Sequence, residues 1–281
     1  VERVWPFGRF WVGAKDAEFI PGLSGSVLSY VNIPFFRAKH QYFQLLRAAE
    51  RLFTCSENKP DYIVTNSCSA DADYASPSTR LAKKIRHEHG IPWICIVSDG
   101  LAPPGADGYI FVTWSYYESN SLMAPSIHID GGVPEFNTPE EPDTKALMYM
   151  GALTEHGGVT WLARAFNALP DNEFELWVCG RGESAELNRL AAEDDRIKLI
   201  GFVSEAELDR LASSAKAFAN PRPISFEPNQ LNYPSKLLHY LGYGKPVIST
   251  FTAGVGPEYA DVLLLIDSET DEALGEAISG V

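Results

Sequence analysis

The amino-acid sequence predicts an α/β protein of two Rossmann-like domains, each a parallel sheet covered by helices. Three observations carry this. Short runs rich in Val, Ile, Leu and aromatics alternate with longer stretches of helical period, the pattern of βαβ units. The strand-like runs are apolar throughout, as strands covered on both faces require. At 281 residues the chain is longer than a usual single domain of roughly 100–200 residues, so two domains are expected.

In the first half, strands are expected over 26–33, 61–66, 92–97, 109–114 and 126–129, with helices over 39–53, 78–89 and 115–122. In the second half, strands are expected over 147–150, 174–179, 197–200, 217–219, 247–249 and 262–266. The helices there are expected over 159–169, 184–192, 205–214, 235–242 and 271–278. The segment 134–144 (PEFNTPEEPDT) holds three prolines and several acids with no apolar period, and it is the expected linker. The domains are therefore 1–137 and 138–281. An opening strand with its glycine-rich turn is expected before the first helix, and one more helix after the last. The chain reads as incomplete at both ends.

Lys and Arg number 23 against 37 Asp and Glu, a net charge of -14 with an isoelectric point near 4.8. Such a field repels nucleic acid and anionic membrane surfaces, so no nucleic-acid partner is expected. An anionic ligand would need a few well-placed cations. Cys55, Cys68, Cys95 and Cys179 show neither a C-x-x-C pair nor metal spacing, which fits buried free thiols in a reducing cytosol. No apolar run approaches the ~18 residues of a membrane span, and no signal peptide is visible. A cytoplasmic protein is expected, with peripheral contact at the inner membrane face left open.

Candidate ligand groups gather at strand ends in the second half. Gly151-Ala152-Leu153 follows a strand, and His156-Gly157-Gly158 precedes a helix, an arrangement that offers small residues and free N–H groups to an anion. Gly180-Arg181-Gly182-Glu183 and Gly201-Phe202-Val203 follow the next two strands. In NYPSKLLHYLGYGKP, Lys236 and His239 fall on one face of a short helix that starts near Pro234 and Ser235. A lysine in a helix's first turn opposes the dipole unless an anion lies there. A diphosphate would resolve that conflict. Arg222, just past another strand, is a second candidate cation.

The runs YMGALTEHGGVTWLARAF, LWVCGRGE, IKLIGFVSEAELDRLASSAKAFANP and NYPSKLLHYLGYGKPVIST, in this order across about 147–258, resemble the donor domain of GT-B glycosyltransferases. SIHIDGGVPEF resembles the usual lead into that domain. The resemblance implies two Rossmann-like domains facing across a cleft, with a nucleotide-sugar donor, UDP-linked by preference, held by the second. It implies a saccharide, lipid-linked glycan or small-molecule acceptor, and no metal or other cofactor. It places Gly180, Arg181, Glu183 and Val203 near the base and ribose, Lys236 and Arg222 at the diphosphate and His239 near the nucleotide, with Leu153 and Ser235 as further donor-binding residues.

The sequence departs from the retaining branch of this family. The paired glutamates of that branch would fall at Leu231 and His239, and its first-loop Arg and Lys near Ala152 and Gly157. The PSKLLHY run is closer to the branch of the xanthan glucuronosyltransferase. That branch carries a Ser-Asp-Gly-Leu similar to Ser98–Leu101 here, which implies Asp99 as the base of an inverting transfer. Two alternatives stay open at this point: a GT-B-like protein that binds a sugar nucleotide or a partner without catalysis, and a nucleotide-sugar epimerase.

Overall fold

The computed structural model describes the backbone of segments 4–5, 8–9, 11–12, 15–20, 23–27, 30–31 and 37–55. It also describes residues 60–67, 76–98, 101–120, 124–133, 136, 144–170 and 174–281. They fall into two compact units. One is Val1–Val112 with Ser119–His128, and the other is Thr113–Glu118 with Ile129–Val281. The expected linker lies outside the described residues except for Phe136 and Thr144. Asp99 and Cys68 also lie outside them.

The first unit opens with β1 (Val4–Trp5), β2 (Gly8–Arg9), β3 (Trp11–Val12), β4 (Lys15–Ile20), β5 (Leu23–Val27) and β6 (Tyr30–Val31). They make three antiparallel pairs: β1 with β2, β3 with β6, and β4 with β5. The single strand expected over 26–33 is thus divided between β5 and β6, which pair with different partners. Ile20 lies opposite Leu23 with Pro21-Gly22 between them, and a Pro-Gly dipeptide between two short strands is a turn signal the periodicity argument overlooked.

After α1 (Arg37–Cys55) the parallel pattern begins. β7 (Ile63–Ser67), α2 (Pro77–His89), β8 (Trp93–Val97), β9 (Gly108–Phe111), α3 (Trp114–Asn120) and β10 (Ser126–His128) follow. The sheet order is β10-β9-β8-β7, all parallel. Helix α2 forms where its ends are satisfied. Ser76 accepts from the Thr79 N–H at 3.2 Å, Pro77 fits the first turn, and Gly90 closes the helix at φ +67°. Trp93, Cys95, Val97, Tyr109 and Phe111 are buried. The Trp93 indole donates to Thr65 Oγ1 at 2.8 Å. The strand expected over 109–114 stops at Phe111: Val112 makes the last bond toward β8, to the Val97 carbonyl, and the Tyr117 N–H turns back to Thr113 to start α3.

The second unit reads β11 (Ala146–Met150), α4 (Val159–Asn167), β12 (Glu175–Cys179), α5 (Ala185–Glu193), β13 (Ile197–Gly201) and α6 (Glu205–Ser214). It continues with β14 (Ala217–Asn220), α7 (Glu227–Leu231), α8 (Ser235–Leu241), β15 (Val247–Ser249), β16 (Leu264–Leu265) and α9 (Asp271–Ser279). Its sheet is parallel in the order β13-β12-β11-β14-β15-β16. All five residues of β11 are buried. Leu147 and Tyr149 pack with Val159, Leu162, Phe166 and Leu176, while Met148 and Met150 pack with Phe218, Leu237 and Tyr240. Two cores on opposite faces explain why the strand is apolar without alternation. Each fully buried large side chain contributes about 2 kcal/mol.

The strand expected over 262–266 shortens to β16, because the N–H groups of Val262 and Leu263 are drawn back to the Tyr259 carbonyl. Helix α7 was not expected. The chain direction switches between β11 and β14, the point where an open α/β sheet leaves a crevice beyond the carboxyl ends of its strands. Among the described residues no helix is long and apolar enough to cross a membrane.

Candidate active site

The strand ends around this switch point are stitched together through their backbones. The Gly151 N–H donates to the Cys179 carbonyl at 2.8 Å, the Gly180 N–H to Gly201 at 2.9 Å, and the Leu153 N–H to Arg181 at 2.8 Å. Gly157 and Gly158 donate to Thr154 and Glu155 in a 3-10 turn, Glu155–Gly157, ahead of α4. The N–H groups of Gly151, Leu153, Gly157, Gly158 and Gly180 are thus engaged within the backbone, and at Gly158 and Gly180 the glycine serves closeness of approach.

Gly180 sits at φ +154°, and a Cβ there would lie 1.6 Å from the Gly151 carbonyl oxygen. A Cβ on Gly158, at φ +71°, would lie 1.7 Å from the Pro221 oxygen. These positions admit only glycine.

Two connected spaces lie beyond the strand ends. A crevice of about 390 Å³ is walled by Cys179, Gly180, Arg181, Val203, Leu208 and His239, among others. Beside it is a chamber of about 20 Å³, room for little more than one water-sized group, lined by Tyr149, Thr154, His156, Asn220 and Arg222. Ala152, Lys236 and Tyr240 border both. Lys236 therefore stands between crevice and chamber, its Cε near Gly151, where an added Cβ would approach it to 3.1 Å.

Among the described residues, the chamber's lining is cationic and includes no carboxylate. Arg222 is only 9% exposed, yet among the described residues neither it nor Lys236 has an ion-pair partner. Burial pushes the Lys236 ammonium below its usual range, and the charge of Arg222 pushes it further. Burial also lowers the Arg222 value, opposed by Tyr149 and Tyr240. His156 is lowered by burial, then by Arg222 and Lys236. Tyr149, raised by burial to about 12, donates its hydroxyl to the Ala152 carbonyl at 2.8 Å. Asn220 donates to Ser249 Oγ at 3.0 Å. Two cations that repel one another in a partly buried site are electrostatically unfavourable, and an anion bound between them would relieve that cost.

His239 packs edge-on against Phe136, with ring centroids 4.9 Å apart, and its Nε2 lies 3.5 Å from the Tyr243 hydroxyl. Burial lowers its value, with Asp209 and Glu205 opposing. At the crevice mouth the Arg181 guanidinium lies over the Phe202 ring, 3.6 Å from its centroid.

The structure thus brings Gly180, Arg181, Val203, Lys236 and His239 to one crevice and Arg222 to the chamber beside it. It does not bring Leu153 and Glu183 there. Those two line a separate crevice of about 670 Å³ with Glu155, Glu186 and Asp271. Ser235 is exposed in the first turn of α8 and lines neither space. That helix has only seven residues, so its dipole is a smaller factor than the side chains. Sequence reasoning missed His156, Tyr149 and Asn220. For His156 the signal was its place beside two glycines at a strand end.

A doubly wound parallel sheet with a cationic chamber at its switch point fits the fold and donor site of a GT-B glycosyltransferase. Residues 144–281, just under half of the chain, match the sequence model of the family described as glycosyl transferases group 1. No curated protein sequence matches the chain.

Among solved structures, the chain is similar to a sucrose-phosphate synthase from Thermosynechococcus elongatus, at 17% identity and TM-score 0.62, covering 94% of this chain and 75% of that one. It is similar to the lipopolysaccharide outer core galactosyltransferase WaaB, at 18% identity and TM-score 0.58, covering 89% and 73%. It is also similar to Anabaena Alr3699/HepE, solved in complex with UDP and glucose, at 13% identity and TM-score 0.60, covering 85% and 71%. At these identities the likeness is one of fold.

Proposed function

We propose that the protein transfers a sugar from a nucleoside diphosphate sugar, UDP-linked by preference, to a hydroxyl of a saccharide, lipid-linked glycan or small molecule. The observation that carries the donor assignment is the pair Arg222 and Lys236, half-buried or more, unpaired among the described residues, at the junction of an apolar crevice and a chamber without acids. The nucleoside occupies the crevice between Val203, Gly180 and His239, with Arg181 at its mouth. The diphosphate lies along Lys236 toward Arg222. The similar HepE, solved with UDP and glucose, supports UDP as the first donor to try.

In this reading the two cations stabilise the charge that develops on the leaving diphosphate, so no metal ion is required. Because they are already desolvated and fixed, they act without reorganising as the bond breaks. Asp99 is the base that takes the acceptor hydroxyl's proton if the anomeric centre inverts. Cys95 and Cys179, both buried free thiols, suit a cytoplasmic location.

Calorimetric titration with UDP tests the donor half. Lys236→Ala and Arg222→Ala are each expected to weaken binding by about tenfold or more, the scale of a lost charge-assisted contact. Unchanged affinity in both variants would remove the assignment. Turnover by Asp99→Asn, with UDP binding intact, tests the base: a loss of about a hundredfold or more is expected, and near-normal rates would exclude it.

A further inference from the structure

We propose that His156 is a third, proton-dependent cation of the phosphate chamber, neutral while the chamber is empty and protonated from solvent when an oxygen of a bound nucleotide's distal phosphate enters beside Arg222 and Lys236. The proposal rests on the donor reading above and assigns a role to a residue outside the crevice. His156 lines the chamber but not the crevice. A nucleotide seated in the crevice with its phosphates along Lys236 therefore reaches His156 with its distal phosphate.

One ring contact and one backbone hydrogen bond hold the residue there. Its ring packs edge-on against Phe226, with centroids 5.7 Å apart. The carbonyl of His156 accepts from Asn229 Nδ2 at 3.1 Å, and the same amide group also donates to the Pro223 carbonyl at 2.8 Å. Asn229 is fully buried. It fixes the His156 turn to the segment that carries Arg222, so ring and guanidinium belong to one rigid wall.

The electrostatics of the empty chamber keep the imidazole neutral. The charged groups facing it are Arg222 beyond β14 and Lys236 on α8, with the Tyr149 phenol on β11. Its neighbour Glu155 lines the separate crevice, and Glu227 of α7 is exposed. Both cations and burial oppose a proton on the ring. A phosphate between the three groups reverses the sign, because its negative charge outweighs the two cations at contact distance. The imidazolium then donates to a distal phosphate oxygen. Binding and proton uptake become linked.

The test is titration calorimetry at pH 8 with UDP and, separately, with inorganic pyrophosphate, in buffers of different ionisation enthalpy. At that pH the terminal phosphate of UDP, with a second pKa of about 6, carries little proton of its own. Pyrophosphate still holds one, so for that probe the reading is the difference in proton uptake between wild type and His156→Gln. The wild-type protein is expected to take up a substantial fraction of a proton on binding, and His156→Gln to take up much less. His156→Lys, charged at all times, is expected to bind with near wild-type affinity at pH 6 and to show a flatter affinity profile from pH 6 to 9. Against wild type, His156→Gln is expected to bind about tenfold more weakly at pH 6, with the gap closing toward pH 9.

Equal proton uptake by wild type and His156→Gln overturns the proposal. So does an affinity loss in His156→Gln that is the same at pH 6 and pH 9, the mark of a merely structural role. Pyrophosphate binding with His156-dependent uptake, but no UDP binding, would uphold the proposal and sink the nucleotide reading. Failure of both probes to bind sinks both.

Discussion

At Gly180 the donor crevice depends on the absence of a single methyl group. An added Cβ would stand 1.6 Å from the Gly151 carbonyl oxygen, and the residue's φ of +154° is one that L side chains rarely adopt. Gly180→Ala must therefore part the ends of β11 and β12. A loss of about 3 kcal/mol is expected, combining strain with overpacking, together with loss of UDP binding. Urea unfolding and calorimetry on the same variant check both. A variant as stable as wild type would mean that the close approach is not maintained in solution. Gly180, Lys236 and Arg222 could be picked out in the sequence because glycines and cations just past strands lie where an open α/β sheet takes its ligands. His156 could not, since a histidine beside two glycines looks like turn punctuation until Arg222, sixty-six positions on, is seen facing it. Leu153 and Glu183 belong to the same strand-end loops but line the neighbouring crevice of about 670 Å³, and a loop's position in sequence does not give which of two adjacent spaces its residues line.

The elements themselves were easier to read, because in both sheets the apolar runs are separated by helices with conventional ends: Ser76, Ser184, Ser204 and Thr270 each accept from the N–H three residues on. What periodicity could not show was α7, five residues with a proline, or where the ladders stop. Two side chains tie elements in ways sequence does not announce. Lys245 donates its ammonium to the carbonyls of Ala212, Ser213 and Ala215, at the end of α6. Lys245→Met keeps the aliphatic stem and is expected to cost about 1–2 kcal/mol, read by urea unfolding, with UDP affinity unchanged. Asp107 receives Arg86 at 2.6 and 2.7 Å and the Trp93 N–H at 2.9 Å, joining α2 to β8. The Arg86 hydrogen bond, then the Trp93 N–H, hold its carboxyl down to about 2. Its folded value lies below the unfolded one, so its contribution is present above pH ~4 and lost as pH falls toward 2. The stability gap between wild type and Asp107→Asn should narrow over that window. A gap constant from pH 7 to pH 2 would show that the charge of Asp107 plays no part.

Over the whole molecule, two fields of opposite sign act on the same ligand. The chain carries a net charge of -14, while the chamber that would receive a phosphate oxygen is lined by Arg222, Lys236 and His156, with no carboxylate among the described residues. Distance separates their effects. Inside the chamber the cations act at contact range, where added salt screens weakly, so the lifetime of the bound nucleotide should change little with ionic strength. Farther than a screening length of about 10 Å at 0.1 M salt, the approaching anion feels mainly the summed charge of the protein. At about 0.01 M the screening length grows to about 30 Å, and the net repulsion reaches the ligand well before the chamber does. The expected result is an association rate for UDP that rises, by about twofold or more, as ionic strength goes from about 0.01 to 0.15 M, with the dissociation rate nearly constant. A cationic patch that dominated its surroundings would give the opposite slope. Stopped-flow measurement of both rates decides between them, and an association rate that falls with salt would show that the chamber's field extends beyond its walls despite the acidic surface around it.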